Sequence, residues 1–145
     1  MTLSQRIVMH MILGTVTLLF IWPLAWAVFD RTKYASVSGA QVDPITAEPG
    51  KQVMAYYDVI LASDRCIYTI ERAFVDWSGI RWEAMPVTVA DRRGPQSLGI
   101  TTMIPVDASG GLGSIKDRLT WSCNPWQGII PGGIDMPDLS VLVRR

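Results

Sequence analysis

The chain has 145 residues, 49% of them hydrophobic, and its 13 basic residues balance 13 acidic ones. With no basic stripe beyond Arg92-Arg93 and Arg144-Arg145, this balance argues against electrostatic binding to nucleic acid. The only histidine, His10, lies in the apolar N-terminal segment, so the rest of the chain has no imidazole for acid–base catalysis or metal binding. We therefore expect a protein that is not an enzyme and that needs no cofactor or metal.

Residues 7–29 form an apolar run closed by Arg6 and Asp30. As an α-helix this run would be about 34 Å long, which is enough to cross the hydrocarbon core of a bilayer. The sequence therefore predicts a transmembrane helix after a short tail, residues 1–6. Aromatic residues cluster at the C-terminal end of the run, as at a membrane–water interface. They are Trp22, Trp26, Phe29 and Tyr34.

A removable signal peptide would contain a similar apolar segment. Pro23, which would break the helix, and the small residues Ala25 and Ala27, after which a processing enzyme would cut, favour cleavage. The length of the apolar run ahead of Pro23 and the aromatic cluster favour retention as a signal anchor. We favour the anchor. In the alternative, residues 1–27 are removed and the remainder is a secreted or periplasmic β-sandwich binding module.

Two cysteines, Cys66 and Cys123, lie in the polar part of the chain. An even pair in an exported domain favours one disulfide, which the chain-entropy model values at roughly 4 kcal/mol for such a loop. Two unpaired buried thiols in a cytosolic domain are the alternative. Because flanking charges barely distinguish the two orientations of the span, the disulfide decides our expectation. We place the N-terminus in the cytoplasm and the C-terminal domain in the periplasm or outside the cell.

Residues 30–48 have the Ser-, Gly-, Ala- and Pro-rich composition of a linker. Residues 49–145 alternate β-branched and aromatic segments with Gly, Pro and Asp turns, which predicts six short strands and a possible further one near 42–47. No segment shows sustained helical periodicity, so we predict an all-β domain built as an antiparallel β-sandwich. The strands are expected at 52–61, 66–75, 80–84, 98–106, 115–123 and 139–143.

This strand spacing, with its cysteine pair, resembles immunoglobulin-like or fibronectin-like sandwiches. Trp121, two positions before Cys123, takes the place at which such domains often carry a corner tyrosine. The resemblance covers residues 45–145 and implies an architecture without implying a function.

Apolar side chains in irregular segments are the candidate contacts. Trp126, Ile129 and Ile130 lie among glycines and prolines that oppose strand pairing, and Trp77 lies in a predicted hairpin loop. Such side chains either fold over the edge of the core or present an apolar patch to a partner. We expect a single-pass membrane protein that contacts the lipid bilayer. It would act as a structural or accessory component of a larger membrane or envelope assembly, bacterial or phage-encoded.

Overall fold

The computed structural model describes residues 3–29, 33–89, 93–125 and 127–145. One N-terminal helix, α1 (Leu3–Phe29), precedes a mostly β domain in this part of the chain. Within α1, the segment Ser4–Pro23 is long and apolar enough to cross a membrane or to serve as a signal sequence, and none of it is buried against the β domain. The predicted apolar helix is therefore confirmed.

Helix α1 continues past Pro23 to Phe29, so the expectation that Pro23 breaks it is wrong. A proline removes one amide donor and crowds the carbonyl group four residues earlier, but an apolar helix tolerates this loss. Two polar side chains within α1 are satisfied locally. The hydroxyl groups of Thr15 and Thr17 each donate to the carbonyl oxygen four residues earlier, at 2.8 and 2.7 Å.

The β domain contains two sheets. In the described residues the small sheet has the order β1-β3-β7. The large sheet has the order β2-β10-β8-β4-β5, with β6 also paired to β4 and β9 to β8. Neighbours are antiparallel except β2 and β10, which are parallel and make the large sheet mixed. The strands are β1 (Ala35–Asp43), β2 (Thr46–Ala47), β3 (Gln52–Leu61), β4 (Ile67–Val75), β5 (Arg81–Glu83), β6 (Val87–Val89), β7 (Gly94–Met103), β8 (Gly111–Ser122), β9 (Gly132–Asp135) and β10 (Leu139–Val143).

The segment 30–48 was predicted as a linker, but its residues 35–43 and 46–47 form β1 and β2, and β2 lies within the possible strand predicted near 42–47. Strand β1 lies at the edge of the small sheet and pairs along β3, with Ala35 opposite Leu61. Its small side chains carry a weak strand signal, because strand propensity mostly reflects how side chains pack on a half-buried face. The pairing with β3, invisible in the local sequence, supplies the backbone hydrogen bonds that hold this segment.

One hydrophobic core cluster contains residues of both sheets. Alternate residues of the strands point into this core: Tyr68 and Ile70 of β4 are buried, as are Leu119 and Trp121 of β8. Strand ends shift from their predicted places, since β7 begins at 94 instead of 98 and β8 at 111 instead of 115.

The end of the β domain that follows α1 in the chain is here called the proximal end. Strand β1 begins there, and the pairings of Leu61 with both Ala35 and Gly94 place the end of β3 and the start of β7 beside it. The start of β4 and the end of β8 lie at the same end, because Ile67 pairs with Ser122. The opposite end, with the turns at 48–51, 76–80 and 104–110, is called the distal end.

Candidate functional site

The predicted disulfide between Cys66 and Cys123 is present at the proximal end, where it joins the start of β4 to the end of β8. Tyr34 packs beside it, with its ring edge-on to Trp121 at a centroid distance of 6.5 Å. The carbonyl oxygen of Tyr34 accepts hydrogen bonds from the Tyr68 hydroxyl at 3.1 Å and from a backbone amide at 2.8 Å. These contacts fix the chain to the core just after the segment that leaves α1.

The other residues predicted for the membrane interface lie on α1. Trp22 is exposed, and the backbone of Trp26 and Phe29 belongs to the last turns of the helix, while their side chains lie outside the described part. The Tyr34 ring is partly buried against the β domain. Its contact with the membrane–water interface therefore stays a prediction.

A turn at 127–130 presents apolar side chains at the proximal end. Ile129 is 74% exposed and Ile130 is 57% exposed. Gln127 is buried and holds the turn in place: its side-chain oxygen accepts from the Cys123 amide at 2.8 Å, and its own amide donates to the Asn124 side chain at 2.9 Å. The predicted contact Trp126 lies outside the described residues.

Glycine allows this turn to return close to the core. Gly132, the first residue of β9, pairs with Trp121, and a Cβ atom there would lie 2.2 Å from the Trp121 Nε1 atom. A larger residue would therefore displace the indole or the strand. The two isoleucines consequently project from a turn that is anchored on both sides.

Trp77, the fourth predicted contact, lies at the distal end and is 70% exposed. Its side chain packs over Gly111, where a Cβ atom would lie 2.9 Å from the Trp77 Cβ, and the next residue, Leu112, is also exposed. The three predicted contacts that the structure describes thus lie at opposite ends of the domain, with Ile129 and Ile130 at the proximal end and Trp77 at the distal end.

Asp76 organises the distal turn that carries Trp77. Its carboxylate accepts hydrogen bonds from the backbone amides of Ser78 and Ile80 at 2.9 and 3.0 Å, and from that of Ser109 at 2.8 Å. Burial by itself would raise the pKa of Asp76, but these hydrogen bonds outweigh it and lower the pKa well below its usual range. The charged carboxylate therefore holds two loops together.

A buried ion pair between Arg72 and Asp117 lies between the sheets, and the sequence analysis missed it. The Arg72 Nε donates to Asp117 at 2.7 Å, and the guanidinium also donates to Asp117 Oδ2, to the Ile100 carbonyl oxygen at 3.1 Å and to the Thr102 hydroxyl. Ile100 and Thr102 belong to the small sheet, so Arg72 connects the two sheets. The alternation of inward and outward residues could have predicted this pair, because Arg72 and Asp117 each occupy an inward position in their strands.

Tyr57 completes this polar cluster. Its hydroxyl is buried near Asp117 without meeting hydrogen-bond geometry to any described group. Burial, followed by the negative charge of Asp117, raises the pKa of Tyr57 far above its ordinary value. The phenol therefore stays neutral in the folded protein.

A charged cleft of about 440 Å³ lies on the outer face of the large sheet. Each cation of the lining has a carboxylate partner, with Lys116 bound to Asp138 at 2.8 Å, Arg118 near Asp135 at 3.9 Å and Arg81 bound to Glu83. Such exposed pairs contribute little to stability. The described residues contain no group of three or more His, Cys, Asp or Glu side chains placed to hold a metal ion.

No protein-family model matches this chain, and no curated protein matches it. Solved structures show a likeness of fold. The C-terminal domain of wzt aligns with a TM-score of 0.53 at 10% identity, over 79% of this chain and 75% of that one. The Pseudomonas fluorescens alkylpurine DNA glycosylase AlkC, bound to DNA containing an abasic site analog, aligns with a TM-score of 0.50 at 10% identity, over 77% of this chain. The chain spans 31% of the length of that glycosylase, and at these identities the likeness concerns the fold alone.

Proposed function

We propose that this protein is a non-catalytic, single-pass membrane protein, whose β domain docks onto a larger membrane or envelope assembly, bacterial or phage-encoded. The observation that carries the proposal is helix α1, whose segment Ser4–Pro23 is apolar on average and is not buried against the β domain. Side chains of this kind require burial in lipid or protein. The continuation of α1 through Pro23 to Phe29 supports retention of the helix over cleavage after Ala27.

We place the β domain on the periplasmic or extracellular side, with the N-terminus in the cytoplasm. The disulfide between Cys66 and Cys123 supports this orientation, because disulfides persist in oxidising compartments. We also assign the domain to the immunoglobulin-like or fibronectin-like sandwiches. The core cluster shared by both sheets and the link from Arg72 to the small sheet support that architecture.

The chemistry of the domain supports a role in binding. The cations of the charged cleft are each paired with a carboxylate, and Asp117, which lies at the base of the cleft lining, is held by the buried Arg72. At the distal end, farthest along the strands from α1, the exposed Trp77 and Leu112 offer an apolar contact for a protein of the assembly. We assign the docking surface to these two residues.

Retention of the anchor is tested by washing membranes with alkaline carbonate and sequencing the purified N-terminus. An anchored protein stays in the membrane fraction and begins at Met1 or Thr2. A soluble protein that begins at Val28 would refute the anchor and leave a secreted binding module. The measurement needs no variant, so misfolding cannot mimic either result.

The docking surface is tested with Trp77→Ala and with the matched control Ile45→Ala, which alters an isoleucine of similar exposure, 68% against 70%. Both proteins are purified in mild detergent, and their melting temperatures are compared with that of the unmodified chain. We expect a companion protein to copurify in a stoichiometric amount with Ile45→Ala and to be lost from Trp77→Ala. The melting temperatures of both variants should be unchanged. A companion that both variants keep would refute this assignment.

A further inference from the structure

The turn at 127–130 is fixed at both of its ends, and its two isoleucines point away from the core. The buried Gln127 bonds the turn to Cys123 beside the disulfide, and Gly132 brings the chain back against Trp121. Between these two anchors, Ile129 and Ile130 are 74% and 57% exposed. A fixed turn with two adjacent exposed isoleucines is unusual for a solvated loop, and it marks a contact surface.

The covalent chain places this turn near the membrane surface. Four Cα–Cα steps join Phe29 to Lys33, so their Cα atoms are at most about 15 Å apart. Tyr34 then packs directly on Trp121, which pairs with Gly132 just after the turn. If the end of α1 lies at the interface, the proximal end cannot leave the neighbourhood of the headgroups.

The charge at the proximal end suits an anionic surface. Among the described residues of this end, Lys33, Arg65 and Arg93 are exposed, against one exposed carboxylate, Asp64. Three positive charges and one negative give a local net charge of +2, whereas the whole chain has a net charge of zero. Basic residues next to an apolar contact favour membranes that contain anionic lipid.

We propose that the proximal end of the β domain rests on the bilayer, with Ile129 and Ile130 inserted among the headgroups and Lys33, Arg65 and Arg93 facing anionic lipid. This inference rests on the proposed function, since it requires α1 to span the membrane. It assigns the two ends of the domain different roles, because the distal Trp77 then faces away from the membrane towards a protein partner. It also gives the domain a fixed orientation on the surface instead of free motion on a tether.

The test uses the full-length protein in nanodiscs containing phosphatidylglycerol, with the photoreactive residue benzoylphenylalanine at position 129 or, as a control, at position 45. Ile45 is a distal residue of similar exposure, 68% against 74% for Ile129. The expected result is a covalent lipid adduct at 129, found by mass spectrometry, and no adduct above background at 45. Unchanged melting temperatures and an intact disulfide show that both variants are folded.

Each other outcome has a definite meaning. A protein that resists carbonate extraction but forms no lipid adduct at 129 overturns this inference and leaves the proposed anchor standing. A cross-link from 129 to a second copy or to another protein also overturns it and assigns the turn to a protein interface. A protein that carbonate removes from the membrane refutes the anchor and this inference together.

The basic residues are tested separately with Arg65→Gln/Arg93→Gln, against the distal control Lys51→Gln/Arg144→Gln. The proximal pair is expected to lower the adduct yield at 129, and the distal pair to leave it unchanged. Equal yields from the two pairs would overturn the role given to the basic residues.

Discussion

Replacing Arg72 by methionine removes the cation that connects the two sheets while keeping a side chain of similar length. The Asp117 carboxylate then stays buried without its partner, and the Ile100 carbonyl and the Thr102 hydroxyl lose their donor. Removing one partner of a buried ion pair costs about 3–5 kcal/mol. For a domain of this size, at about 4 °C per kcal/mol, the melting temperature should fall by roughly 12–20 °C.

The matched control is Arg118→Met, because Arg118 follows Asp117 on β8 but points outward. Its partner Asp135 lies 3.9 Å away, and both side chains are more than half exposed. An exposed pair of this kind contributes about 0–1 kcal/mol. Thermal and urea unfolding of the full-length protein in detergent, followed by tryptophan fluorescence, measures both variants.

A double variant separates the loss of an ion pair from a general packing defect. In Arg72→Met/Asp117→Val both charges are gone, and an apolar pair in place of a buried ion pair is often neutral or stabilising. We expect this variant to recover much of the stability that Arg72→Met loses. An Arg72→Met protein no less stable than Arg118→Met, or a double variant less stable than Arg72→Met, would refute the reasoning.

Three other predictions concern the disulfide, the distal turn and the buried phenol. Replacing Cys66 and Cys123 together by alanine should lower the free energy of unfolding by about 2–5 kcal/mol, whereas two freely alkylated cysteines in native protein would show that no disulfide exists. Because the pKa of Asp76 is lowered on folding, the stability it contributes is full above pH about 4 and is lost as the pH falls further. Asp76→Asn should therefore reduce the loss of stability as the pH falls below about 4. An unchanged loss of stability at low pH would contradict the role given to the Asp76 carboxylate. Because the pKa of Tyr57 is raised, its contribution is full below pH about 10 and is lost as the pH rises further. Tyr57→Phe should remove that alkaline loss. Stability at neutral pH should stay equal or rise, since the hydroxyl meets hydrogen-bond geometry with none of the described groups; a less stable variant would show that the hydroxyl is satisfied.

The residue pattern of a single segment was enough to predict those structural elements that form without a specific partner elsewhere in the chain. The 23 uncharged residues of 7–29, unless His10 is protonated, predict a helix because length and apolarity alone decide it. Alternation predicts the inward faces of β4 and β8, since side chains in a strand point to opposite faces at every second residue. The disulfide between Cys66 and Cys123 was predicted from the number of cysteines, which form a single even pair in the polar part of the chain.

Pairing partners, in contrast, belong to the tertiary structure. Strand β1 forms in a segment with linker composition because β3 supplies its hydrogen bonds, and β2 pairs in parallel with a strand at the far end of the chain. The Arg72–Asp117 pair joins residues 45 positions apart in sequence, and neither charge indicates by itself that the other lies opposite it. Ile129 and Trp77 were likewise predicted from the sequence as candidate contact residues, but only the strand topology shows that they lie at opposite ends of the domain. Local composition determines what a segment can form, whereas contacts distant in sequence determine which partner it meets and which surface it shares.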